Sequence, residues 1–496
     1  MAAYLRPGVY VQETLNPVPP VVGANSNSVA AFIGGNARGP VTPTLVTSWS
    51  EYINTYGSWS ANNALALAVF LYFSNGGNAA YVQRVTAGSP ATATRTLKDA
   101  DDVNTLTLDA ANPGSWGNNI AVTTQASPGA AAYFDLVIYY GGTTAPYKVE
   151  SFPNLTMDST DARYAISVIN SQSNWVIATD EDSPSTGVDK YVAPVTGQSL
   201  AGGAAGDTPT DTQIAAGITA FDVVLNSLII NAPGVTTTAG INPIIAYAEA
   251  RQDAFVVVDP INDTVANQLI RAAAYTQSSY AAVYYPPVTI NDPTNSTPGT
   301  IIAAANPGGA VVGKYAATDK SRGVFKAPAG LGVRVAGAVS VPALTNANLD
   351  SLNSGDAPVN AIRFIPGSGV VIMGARTLKG GYADMYVPVR RSLIYMEKAL
   401  VDLTNFAVFE PNDTVLYRQI TSTLTAFLTN FWSQGGLRGA TPQQAFFVLC
   451  DSTNNTLSTV EAGQVNIQVG VALQRPAEFV VINIGQFDGG ATVTVA

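Results

Sequence analysis

The chain has 496 residues, enough for about three domains at roughly 150 residues each. Its 47% hydrophobic residues can fill a buried core and exclude a disordered chain, while a charged fraction of 12%, against about 25% in an average soluble domain, suits a surface covered by other copies of itself. A net charge of −10 argues against a broad nucleic-acid-binding face, and the absence of histidine excludes Ser-His-Asp triads, Cys-His dyads and His-ligated metal sites. One cysteine, Cys450, excludes an intrachain disulfide.

Residues 1–24 read as an extended N-terminal arm. Pro7, Pro17, Pro19 and Pro20 forbid a stable helix, and Val9, Tyr10, Val11 and Gln12 are a short strand without a local partner. No long apolar core follows a basic start, so no secretory signal is expected. The longest apolar stretch, 64–73, is about half of a membrane span, so no stable membrane insertion is expected.

A strand at 29–35, a helix at 62–74 stopped by Asn75-Gly76-Gly77, and a strand at 80–85 give β-α-β order. The composition then shifts: residues 86–206 hold 5 basic and 12 acidic residues and strand-like runs at 105–108, 120–124 and 134–140, with a helix at 162–170. This is expected to be an inserted β-rich domain, with 197–208 as its flexible return linker. Helix-to-strand units resume at 211–233, 242–260 and 264–286, and their short apolar strands predict parallel pairing buried on both faces. Residues 25–85 and 207–344 therefore form a discontinuous central α/β domain. Residues 345–487 form a C-terminal α+β domain with helices at 391–403 and 414–432, the second capped by Asn412 or Asp413 and ended by Gly435. Residues 464–471 alternate as a half-buried strand. Residues 488–496 are a C-terminal arm carrying the strand formers Thr492, Val493, Thr494 and Val495, with Gly489 and Gly490 as its hinge, as Pro19 and Pro20 are for the other arm. The fold class is thus multidomain α/β with an inserted β-rich domain and two extended arms.

Catalytic chemistry is sparse. Asp259 closes an apolar strand where α/β sheets bind ligands, but no phosphate loop accompanies it, and capping of the next helix is the favoured role. The 202–206 run of Gly and Ala lacks a Lys-Ser/Thr sequel. Asp99, Asp101 and Asp102, and Asp180, Glu181 and Asp182, lack the spacing of a calcium loop and read as solvated turns. Cys450 reads as a buried inert thiol. Neither an enzyme nor a cofactor is expected. Arg390 and Arg391 are either a solvated basic face or a partner contact.

Several segments resemble the contractile tail sheath proteins of bacteriophages and related injection machines. Arg6-Pro-Gly-Val-Tyr-Val-Gln-Glu13 is similar to the family's PGVYVxE opening, and Val29-Ala-Ala-Phe-Ile-Gly-Gly with Arg38-Gly-Pro40 to its first strand and turn. Asn154-Leu-Thr-Met-Asp, Ala281-Ala-Val-Tyr-Tyr-Pro-Pro, Thr318-Asp319 and Arg322-Gly-Val-Phe-Lys-Ala-Pro328 match further family segments, with Pro287 and Phe325 in place of Trp. Gly374-Ala-Arg-Thr-Leu378, Val387-Pro-Val-Arg-Arg391, Val408-Phe-Glu-Pro-Asn412 and Pro476-Ala-Glu-Phe-Val480 resemble its last domain. The resemblance implies a structural subunit that stacks as six-fold rings around a tail tube protein, is held extended and metastable, and contracts to drive the tube through a cell envelope. It implies baseplate and tail terminator proteins as partners, a place in the virion tail after assembly in the host cytoplasm, and terminal arms that complete the sheets of neighbours. The inserted domain would face outward and the last domain inward, with Arg390, Arg391 and Lys398 as candidate tube-facing or inter-subunit residues. The sheath of a headless injection device is the alternative, and a static shell or surface-layer subunit a more distant one.

Overall fold

A computed structural model describes residues 28–478 apart from 59–62, 129–131, 145, 147, 187–189, 294–298 and 382–384. The arm residues Val9, Tyr10, Val11, Gln12, Thr492, Val493, Thr494 and Val495, and the hinge residues Pro19, Pro20, Gly489 and Gly490, lie outside the described residues.

The short apolar runs pair as parallel strands. An eight-stranded sheet runs in the order Gly369–Ile372, Val359–Ile365, Ala281–Tyr285, Ala254–Val258, Leu228–Asn231, Val29–Gly35, Ala80–Val85, Thr44–Val46. It is antiparallel only at its two margins. Ala254–Val258 and Ala281–Tyr285 are buried at every position, as strands covered on both faces must be. Helices Ala64–Ser74 and Gly308–Arg322 cover one face, backbone against backbone: a Cβ on Gly309 would stand 2.0 Å from the Ala68 carbonyl oxygen, and one on Gly313 2.6 Å from that of Tyr72. On the strand Val29–Gly35, Gly34 faces Leu65 of the first of these helices and its neighbour Ile33 faces Gly217 on the other side of the sheet, where the helix Asp211–Ala216 packs with Thr238–Arg251.

Three expectations change. The helix that opens the 211–233 unit, expected to run to about 226, is a short helix, Asp211–Ala216, tightening into a 3₁₀ helix, Gly217–Val223, where Gly217 lies against Val85. Residues 359–372, assigned to the last domain, instead supply the strands Val359–Ile365 and Gly369–Ile372, which complete the central sheet because their apolar residues bury its margin. The packing therefore changes not at 344 but within the helix Val387–Thr404, whose Val387 and Ile394 join the central core while Met396 joins a separate core with Leu416, Ile420, Leu424 and Phe431.

The third change concerns the inserted domain. Strands Val195–Ser199, Ile120–Ala126, Phe134–Tyr140 and Lys148–Leu155 form one sheet, and Thr94–Lys98, Asn104–Ala110 and Val176–Asp180 another, around a core including Leu106, Leu108, Val122, Leu136 and Ile138. The return segment expected to be a flexible linker is instead paired with the outgoing one. Ala87 bridges Asp207, Ala91 bridges Ala204 and Thr94 bridges Ala201, and Ala91 and Ala204 exchange backbone hydrogen bonds of 3.0 Å.

Candidate assembly surface

The place where an α/β sheet offers a ligand crevice is filled by the chain itself. Asp259 caps a helix, but not the next one: its Oδ1 accepts from Gly308 N at 2.7 Å, at the start of Gly308–Arg322, and its Oδ2 from Gly234 N at 3.4 Å. A Cβ on Gly308 would lie 2.4 Å from both Asp259 Oδ1 and Asn231 Nδ2, so nothing larger than this backbone fits. Burial pushes the Asp259 carboxyl up to about 6, against hydrogen bonds that lower it. Asp99 is a turn cap, accepting from Asp101 N at 3.0 Å, Val103 N at 2.9 Å and the Ser183 hydroxyl. Among the described residues no group of three acidic or cysteine side chains comes together as a metal site, and no helix is long and apolar enough to cross a membrane. The Cys450 thiol is buried and pushed up to about 11, chiefly by desolvation.

Of the three basic residues expected at a partner surface, two are turned into the chain. Arg390 and Arg391 are each 2% exposed. The Arg390 guanidinium lies 4.6 Å from the Tyr280 ring centroid, and that of Arg391 4.6 Å from the Tyr315 ring centroid. Arg391 also pairs with Asp319 through both terminal nitrogens, the first at 2.9 Å. Burial alone would lower the Arg391 pKa, and the Asp319 carboxylate more than offsets it. An apolar setting at the start of the helix, with tyrosine rings for lining, is the reason these charges are enclosed. Lys398 keeps an exposed flank and pairs with Asp402 one turn on at 3.7 Å.

The last domain carries a small sheet of its own. Strand Phe446–Leu449 pairs antiparallel with Gln468–Val471, in the register Phe446↔Val471 to Leu449↔Gln468. The half-buried strand expected over 464–471 is thus ordered as a strand in its last four residues. Among the described residues this sheet has two strands, so each has one strand neighbour. It rests on the helix Thr414–Ser433, which Asp413 caps through Val415 N at 2.8 Å and Leu416 N at 3.0 Å. A groove runs between that helix and the sheet, lined by Arg418, Thr421, Thr425, Val448 and Leu449. Isolated two-stranded sheets are marginal, and an exposed strand edge is a template for another strand.

At the corner between the two long helices Phe409 is 88% exposed with φ +69°, a conformation that bulky side chains rarely adopt. It lies in the Val408-Phe-Glu-Pro-Asn412 motif, but nothing in the spacing of that motif announced an outward ring.

Residues 86–207 match the phage tail sheath protein beta-sandwich domain, and residues 385–487 the phage tail sheath C-terminal domain. Two segments of the chain thus match tail sheath domains, and the family resemblance read from its motifs holds. It is 27% identical over 179 residues to the tail sheath protein of Vibrio phage KVP40, a match that covers 35% of this chain and 25% of that relative's length. The fold is similar to the contracted sheath complex of an extracellular contractile injection system, PVC, with TM-score 0.60, 21% identity and coverage of 98% of this chain and 99% of the other. It is also similar to a sheath tail protein from Listeria innocua, with TM-score 0.61, 15% identity and coverage of 87% and 90%. At these identities the two structures attest the fold.

Proposed function

We propose that this chain is the structural, non-enzymatic subunit of a contractile tail sheath. It polymerises as stacked six-fold rings around a tail tube, is held extended, and contracts to drive the tube through a target envelope, with a baseplate and a terminator at its ends. The observation that carries this reading is the two-stranded sheet of the last domain, in which each strand has one strand neighbour among the described residues and only the end of the second is met by a further bridge, Leu437 to Leu473, in a chain whose sequence bears a strand-forming segment near each end. Strand addition to such an edge is a known binding mode. About six backbone hydrogen bonds at a net ~0.5–1.5 kcal/mol each give roughly 3–9 kcal/mol per arm. Links of that strength hold neighbours together while their bodies rotate.

The strongly acidic inserted domain would face outward and the last domain inward. Lys398 is the one of the three expected basic residues that retains exposed surface for a partner. The likeness to an injection-system sheath favours a headless device as the second reading, and capsid genes beside this one would decide for a virus. Deleting residues 1–20 or 489–496 tests the arms: the truncated chain should stay a folded monomer by sedimentation and form no tubes by electron microscopy. Normal contractile tubes from either truncation would refute the arm linkage.

A further inference from the structure

Glu478 directly precedes the C-terminal segment 479–496, and it is tied to an unexpected part of the chain. Asn360, 2% exposed on the strand Val359–Ile365, grips Arg376 by both backbone groups: its Oδ1 accepts from Arg376 N at 2.7 Å, and its Nδ2 donates to Arg376 O at 2.7 Å. Asn360 Nδ2 donates as well to Val283 O, one strand further into the central sheet, at 3.0 Å. Arg376 then holds Glu478. Its Nε donates to Oε1 at 2.9 Å and Oε2 at 3.1 Å, its second terminal nitrogen to Oε2, and its first to Asn353 O at 2.6 Å. The Tyr386 hydroxyl lies 3.4 Å from Oε2. The two charged side chains are 12% and 20% exposed, so the pair is screened little by water. Hydrogen bonds donated to the Glu478 carboxylate hold the Arg376 guanidinium above its ordinary pKa.

We infer that the relay Asn360–Arg376–Glu478 anchors the base of the C-terminal arm on the eight-stranded central sheet, so that pull exerted by a neighbour on the arm passes into the central body and bypasses the two-stranded sheet closer in sequence. This rests on the arm reading above. Arg376 and Glu478 are positioning residues: they fix the point from which residues 479–496, about 60 Å long when fully extended, are paid out. A looser base lengthens the tether and lets residues before 478 peel away first.

The test uses the full-length chain with Glu478→Gln, the exchange R376E/E478R, and deletion of 489–496 in parallel. Glu478→Gln should speed amide exchange over 474–478 in the monomer about tenfold and leave the melting of the central body in place. Sheaths assembled from it should shed subunits at lower urea than wild type, and the exchange should move both readouts back. If deletion leaves assembly untouched, the arm reading falls and the anchor with it. If deletion stops assembly but Glu478→Gln sheaths withstand urea like wild type, the arm reading stands and the anchor is wrong. A lowered melting temperature of the central body in Glu478→Gln would equally overturn it, because the pair would then serve the fold.

Discussion

Arg391 and Asp319 join two long helices at the edge of the central core: Arg391 lies near the start of Val387–Thr404 and Asp319 near the end of Gly308–Arg322. Their side chains are 2% and 17% exposed. Removing one partner of a buried pair strands the other charge, at about 3–5 kcal/mol. Arg391→Ala should lower unfolding free energy in urea by about that amount, whereas Asp319→Asn, which keeps an acceptor, should cost about 1–3 kcal/mol. A loss below about 1 kcal/mol for Arg391→Ala would show that the pair is not enclosed.

Arg38 does a similar service between the central body and the inserted sandwich. Its guanidinium carbon lies 4.5 Å from the Trp116 ring centroid and 5.5 Å from that of Tyr140, and one nitrogen donates to Asn54 O at 2.5 Å. Arg84, 1% exposed, adds a second tie by donating to Gly39 O at 2.9 Å and Pro113 O at 2.8 Å. A desolvated cation–π contact is worth ~2 kcal/mol. Arg38→Met should split calorimetric unfolding into an earlier sandwich transition and a later body transition. A single transition at the wild-type temperature would count against this role.

Asp259 predicts a pH effect of definite sign. Its folded pKa, about 6, lies above the ordinary 3.8, so its favourable contribution is present below the ordinary value and is lost as pH rises through about 6. The stability of Asp259→Asn relative to wild type should therefore increase by about 2–3 kcal/mol between pH 4 and pH 7. Urea unfolding at both pH values measures it, and a pH-independent difference between the two proteins would contradict the burial argument.

Phe409 holds a left-handed backbone while its side chain is 88% exposed. Phe409→Gly should remove the steric cost and raise monomer stability by about 1 kcal/mol, after the entropy that glycine adds to the unfolded chain. An unchanged or lower denaturation midpoint would mean that the ring is held by contacts worth as much as the strain.

The α/β pattern was legible because strands such as Ala254–Val258 and Ala281–Tyr285 are unbroken apolar runs between helical segments. The helix Gly308–Arg322 was not, because it opens on two glycines, the first demanded by Asn231 and Asp259 and the second by the close approach of Ala68, all far away in sequence. The paired return segment was hidden for a related reason: a run of Gly and Ala looks slack until its partner at 87–94 is in place. At the assembly surface, the basic residues were visible but their burial was not, since enclosure of Arg391 depends on Tyr315 and Asp319. Arg376 and Glu478 each stood in a motif resembling the family, yet nothing local pairs side chains 102 positions apart.

The side-by-side course of residues 87–94 and 201–207 has a consequence for how such a protein varies. Entry and exit of the sandwich emerge at one spot on the body, so the whole unit is a cassette. It can be traded for another module, pruned to a tight turn, or loaded with foreign cargo at its far end, while the eight-stranded sheet beneath closes on its own residues.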